Sequence, residues 1–124
     1  MAKTILIVDD SATVLMSFTT YLEAVGFIIE TANDGVKALA KLQGGLKPDM
    51  MITDINMPNM NGIELIQSVR ALPAFRFMPI LVMTTESQQA KRDEAKKLGA
   101  TGWVVKPTSP TGLLGIIKQV LPGA

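Results

Sequence analysis

The sequence predicts a single α/β domain: an open parallel sheet of five strands with helices on both faces. Three observations carry that expectation. Five short β-favouring runs alternate with five stretches of helical spacing, the pattern of right-handed β–α–β crossovers. The run Met50-Met51-Ile52-Thr53 is apolar at successive positions, as a strand buried on both faces must be. A chain of 124 residues suits one domain with a real core, and no tract reads as linker, repeat or low-complexity segment.

Taken in order, Thr4–Val8 is the first strand, closed by Asp9-Asp10. Ser11 suits the cap of a helix running through Val25, with Val14, Phe18, Leu22 and Val25 on one face and Gly26 ending it. Phe27–Ala32 is a second strand, interrupted by Glu30, which marks an edge. Asn33-Asp34-Gly35 opens a helix whose face is Val36, Leu39, Ala40 and Leu42, finished by Gly44-Gly45. After the central strand, Pro58 and Asn61-Gly62 break regular structure. A third helix then carries Ile63, Leu65, Ile66 and Val69 and ends near Leu72-Pro73.

Ile80–Met83 is a fourth buried strand running into Thr84-Thr85-Glu86. Ser87 is expected to cap the fourth helix, which has only Ala90, Ala95 and Leu98 to pack. An Asp93–Lys97 pair would add about 0.3 kcal/mol, little beside the missing burial, so this helix is expected to be the loosest. Gly102–Val105 is the fifth strand, followed by Lys106-Pro107. The last helix begins at Ser109 with Pro110 in its first turn and runs to Leu121. Its core row is Leu113, Ile116, Ile117 and Val120, and Leu114 and Leu121 broaden the apolar stripe.

Composition removes several classes of function. Cations and anions nearly balance, at 12 Lys and Arg against 11 Asp and Glu, and no basic cluster suggests a nucleic-acid partner. No cysteine means no disulfide or thiolate chemistry, and a cytoplasmic location is expected. No stretch is long enough for a signal-peptide core or a membrane span, so no membrane partner is expected. The commonest metal ligand and general base, histidine, is missing. A metal site would be built from oxygen, which favours magnesium or a similar hard cation.

The residues that close the buried strands suit one piece of chemistry: Asp9-Asp10, Asp54, Thr84 and Lys106. Open α/β sheets bind ligands at the carboxyl ends of their strands. In the doubly wound, flavodoxin-like order 2-1-3-4-5, strands one and four flank strand three, and strand five lies one place further out. Lys106 then starts about 10 Å from Asp54, so the long side chain falls where reach is needed. Three clustered carboxylates repel by about 3 kcal/mol per pair at 5 Å. A divalent cation would offset that, taking oxygen from Asp10, Asp54 and the backbone of the Asn56 loop. A phosphoryl group would then meet the metal, the Lys106 ammonium and the Thr84 hydroxyl, and the Asp54 carboxylate could attack phosphorus.

These motifs closely resemble the receiver domains of two-component response regulators, particularly the stand-alone CheY-like chemotaxis type. The match runs from Lys3 to Leu121 through Ile7-Val8-Asp9-Asp10-Ser11, Asn33-Asp34-Gly35, Thr53-Asp54, Asn56-Met57-Pro58, Asn61-Gly62, Thr84, Gly99-Ala100 and Val105-Lys106-Pro107. The 2-1-3-4-5 order is that of the family and is not an independent expectation.

The resemblance implies that Asp54 accepts a phosphoryl group from the phosphohistidine of a sensor kinase (CheA-like), with Mg2+ as cofactor. Asp10 would hold the metal directly and Asp9 through water, with Lys106 paired to the phosphoryl group. Thr84 would turn toward that group and let the aromatic residue of strand five, here Trp103, move inward. The surface of helix four, strand five and helix five would change with it. Asn56 and Glu86 stand at positions that tune phosphoryl lifetime, and imply a short one and a possible phosphatase partner.

Departures from the family are Trp103 for the usual Tyr or Phe, Leu15 where Arg is frequent, Thr85 for a smaller residue, and Thr108 for Phe. Residues 1–124 read as one receiver domain with no output domain, monomeric when unphosphorylated, acting by binding another protein. The flagellar motor switch is the first expected target. A histidine-phosphotransfer protein in a phosphorelay is the alternative. The expected partner surface is Trp103, Leu114 and Leu121. The chain is read as a switch that catalyses only its own phosphorylation and dephosphorylation. A haloacid-dehalogenase-type phosphatase would need an acid where Asn56 stands. In a flavodoxin-like electron carrier, Asp9-Asp10 would repel the flavin phosphate.

Overall fold

The computed structural model describes residues 2–124. Five strands, β1 (Thr4–Val8), β2 (Ile28–Ala32), β3 (Met50–Thr53), β4 (Ile80–Thr84) and β5 (Gly102–Val105), form one parallel sheet in the order β2-β1-β3-β4-β5. Each strand precedes a helix: α1 (Ala12–Ala24), α2 (Gly35–Gln43), α3 (Gly62–Arg70), α4 (Gln89–Lys97) and α5 (Pro110–Val120), with one 3-10 turn at Pro73–Phe75. This is the doubly wound, flavodoxin-like fold expected from the sequence.

Alternation along the inner strands builds two cores. Leu6, Val8, Met51, Ile80 and Val82 face α2, α3 and α4, where Leu42, Leu65, Ile66 and Val69 meet them. Ile5, Ile7, Met50, Ile52, Leu81 and Met83 face α1 and α5 and pack on Phe18, Leu22, Leu113 and Ile117. Each fully buried aliphatic side chain contributes roughly 1.5–3 kcal/mol, so the rigidity of the sheet originates here.

Caps set most helix starts. Ser11 accepts from Val14 N, Asp34 from Lys37 N and Ser109 from Gly112 N, while Asn61 and Glu64 form a reciprocal capping box. Helix α4 differs. Its cap residue is Gln88, with no side-chain hydrogen bond, so Ser87 does not cap as the sequence suggested. Asp93 accepts from Gln89 Nε2 at 2.7 Å instead of pairing with Lys97. Ala95 is its one buried residue, and Ala90 is exposed. The far end of α4 is held by Arg70, whose Nη2 and Nε donate to Gly99 O at 2.7 and 3.2 Å and whose Nη1 donates to Phe75 O at 2.7 Å. Helix α4 is thus anchored at its carboxyl end and weakly held at its start.

Three further expectations on packing are corrected. Val36 and Ala40 are exposed, because α2 buries Ala38 and Leu42 instead. Leu121 is only 3% exposed: the chain leaves the helix there in an extended conformation and turns that side chain into the core of the α1–α5 face. It is therefore not part of an accessible partner surface. No helix among the described residues is long and apolar enough to cross a membrane.

Candidate functional site at the carboxyl rim of the sheet

Register brings the strand ends together. Val8 pairs with Thr53 and Thr53 with Val82, so β1 and β3 end level beside β4. The next residues keep a backbone bond to the neighbouring strand: Asp9 N donates to Ala32 O at 3.1 Å, Asp54 N to Val8 O at 3.0 Å and Lys106 N to Thr84 O at 2.8 Å. Their side chains therefore start from fixed points.

Carboxylate oxygens of Asp9, Asp10 and Asp54 lie within 4.8 Å of one another. Asp9 and Asp54 are buried, and Asp10 is exposed. Lys106 crosses the end of β4 to reach them, with Nζ 2.9 Å from Asp54 Oδ2 and 2.5 Å from Asp9 Oδ2. That reach spans two to three strand spacings of about 4.8 Å, which needs a stem as long as that of lysine. The Lys106-Pro107 peptide bond is cis. Burial acts to lower the pKa of Lys106. Hydrogen bonds to Asp9 and Asp54, with their charges, outweigh it and hold the ammonium above the ordinary lysine value. Three carboxylates against one ammonium leave the cluster anionic.

Two neighbours hold Asp54, one at its backbone carbonyl and one at its carboxylate. Thr53 Oγ1 donates to Asp54 O at 2.8 Å, and Ile55 N donates to Asp54 Oδ1 at 2.6 Å. Gly62, at the start of α3, lies so near that a Cβ would stand 2.0 Å from Asp54 O. In the sequence Gly62 stands out only as a breaker ahead of the third helix and as part of the Asn61-Gly62 motif. Its contact with Asp54 joins residues in different elements, which no local pattern encodes.

Thr84 is fully buried, and its Oγ1 accepts from Glu86 N at 3.1 Å. Glu86 Oε2 accepts from Gln88 N, and Asn56 is exposed on the loop after β3. Trp103 is half-buried against the core of the α2–α4 face. It lines a cavity of about 230 Å³ with Arg92, Ala95, Lys96 and Thr101. Leu114, on α5, packs against the other core, and β5, which carries Trp103, is the edge strand between them.

The profile of the response regulator receiver domain matches residues 5–118. The chain belongs to that family. This receiver domain is 38% identical over 119 residues to the chemotaxis protein CheY1 of Helicobacter pylori, covering 94% of this chain and 95% of the relative. It is 40% identical over 117 residues to the chemotaxis protein CheY of Pseudomonas aeruginosa, covering 94% of each. The solved structure of the chemotaxis response regulator CheY4 of Vibrio cholerae superposes with a TM-score of 0.92 at 42% identity, covering 98% of this chain and 100% of that one.

Proposed function

We propose that this receiver domain is a phosphoaccepting switch of a two-component pathway, with Asp54 as the acceptor. The observation that carries the reading is Lys106 Nζ, placed between Asp9 and Asp54 beside a cluster of three carboxylates. The all-oxygen donor set fits a hard divalent cation such as magnesium. Both Asp9 oxygens already accept, from Ser11 N and from Lys106, which suits a water-mediated role. Asp10 and Asp54, with the backbone of the Asn56 loop, would hold the ion directly. Bound there, magnesium supplies positive charge against the phosphoryl oxygens.

An Asp54 carboxylate oxygen attacks phosphorus of the kinase phosphohistidine. The P–N bond breaks, its electron pair leaves with the imidazole, and an O–P bond forms. Lys106 pairs with the phosphoryl oxygens, and Thr84 turns its hydroxyl from the Glu86 amide toward them. Hydrolysis returns the carboxylate and releases inorganic phosphate, with Asn56 and Glu86 setting the rate at which water arrives.

The readout is a population shift. Favouring the active surface by 1–3 kcal/mol changes partner affinity about 5- to 150-fold. The weakly capped start of α4 and the cavity beside Trp103 give that surface room to change. Residues 1–124 act as one receiver domain, monomeric before phosphorylation. Because the relatives above are chemotaxis proteins, the partners proposed are a CheA-like sensor kinase and the flagellar motor switch, in preference to a histidine-phosphotransfer protein.

Adding magnesium and beryllofluoride, which mimics the acyl phosphate, is expected to change the intensity or quenching of Trp103, the only tryptophan. The same treatment is expected to leave an Asp54→Ala variant unchanged. A silent Trp103 in the wild-type protein would mean that the ring is a fixed core residue and that the switch does not run through it.

A further inference from the structure

Apart from the acidic cluster, one buried carboxylate joins two parts of the chain. Asp34 is 5% exposed. Its Oδ1 accepts from Lys37 N at 2.8 Å and caps α2, while its Oδ2 accepts from Asn59 Nδ2 at 2.9 Å. A cap requires only one of those oxygens. The second holds the loop between β3 and α3, which starts at Asp54 and carries Asn56. The hydrogen bonds from the Lys37 amide and from Asn59 hold the Asp34 carboxyl below the usual carboxylate range, so it is an anion at neutral pH.

Asn59 needs such a hold. At φ 68° it is the one non-glycine residue with positive φ among the described residues, a conformation asparagine tolerates when its short side chain finds a partner. The loop also rests on the start of α2: a Cβ on Gly35 would lie 2.7 Å from Met60 O and 2.9 Å from Met60 Cβ. Two other bonds, Met60 N to Pro58 O at 2.7 Å and Gly62 N to Ile55 O at 2.8 Å, close the loop on itself. The Asp34–Asn59 bond attaches it to another element.

We infer that Asp34 is a positioning residue for the phosphoacceptor loop: one carboxylate oxygen caps α2, and the other, through Asn59, sets the backbone after Asp54 for metal binding. This rests on the phosphoacceptor reading above. Outer residues that orient a metal site commonly change its affinity by an order of magnitude without touching the ion.

The test uses the full chain, with magnesium affinity read by calorimetry and helix content by circular dichroism. Asp34→Ser keeps an oxygen for the Lys37 amide but cannot also reach Asn59. Asn59→Gly keeps the left-handed backbone and removes the amide donor. Each is expected to bind magnesium about tenfold more weakly than wild type with unchanged helix content, and the double variant no more weakly than either single one. A change below about twofold in Asn59→Gly, or losses that add in the double variant, would overturn the inference. If Asp34→Ser does not fold, Asn59→Gly, at an exposed residue, carries the test alone. Wild-type protein that binds no magnesium would overturn the phosphoacceptor reading and this inference together. Wild-type binding matched by both variants overturns this inference only.

Discussion

Lys106→Met is expected to slow phosphorylation by acetyl phosphate about 100- to 1,000-fold, the usual loss when one fixed donor to a developing anion is removed. Methionine keeps much of the apolar stem and removes only the cation. The same change leaves Asp9 and Asp54, at 1% and 7% exposure, without the ammonium that now bonds to both. Stripping a buried pair of one partner costs about 3 kcal/mol at neutral pH.

The sign of the pH dependence follows from the raised pKa of Lys106. A group whose folded-state pKa lies above its unfolded value of 10.5 contributes stability that is fully present below that value and lost as pH rises through the folded pKa. Urea midpoints of wild type and Lys106→Met should therefore differ steadily up to about pH 10 and converge above it. A gap that stays constant into strong alkali would show that the stem, not the charge, accounts for the loss.

Gly62→Ala is expected to be comparably severe for a different reason. A methyl group 2.0 Å from Asp54 O meets backbone, not a flexible side chain. Asp54 N is bonded to β1 and its carbonyl to Thr53, so neither side can yield alone. Overpacking of this kind costs about 3 kcal/mol, or about 10 °C in melting temperature for a domain of this size. A displacement near 1 Å of the acceptor would also cost about 100-fold in phosphorylation rate. Thermal melts and acetyl phosphate kinetics on the one variant check both. A variant with wild-type melting and rate would mean that α3 starts farther from Asp54 than the structure places it.

The ends of β1 and β3 were legible because a buried parallel strand has a continuous apolar composition that Asp9 and Asp54 interrupt, whereas β5, which precedes Lys106, is a half-buried edge strand with Val105 exposed. The span from Lys106 to Asp54 was legible because strand spacing is nearly constant once the order is given. The rotation of α2 was not, since Val36 and Ala40 fit an apolar face as well as Ala38 does. Ser87 and Gln88 lie in one polar run, and backbone geometry alone selects the cap. Leu121 belongs to the helical stripe in sequence, but the helix ends there and the side chain turns inward. The Asp34–Asn59 bond and the Gly62 contact join residues from different elements, and neither residue type announces its partner.

Mass spectrometry of the intact protein after incubation with acetyl phosphate and magnesium decides whether Asp54 is the phosphoacceptor. The expected result is a gain of about 80 Da, one phosphoryl group, that is absent without magnesium and absent in Asp54→Ala. No gain in the wild type, or an equal gain in Asp54→Ala, would contradict that assignment.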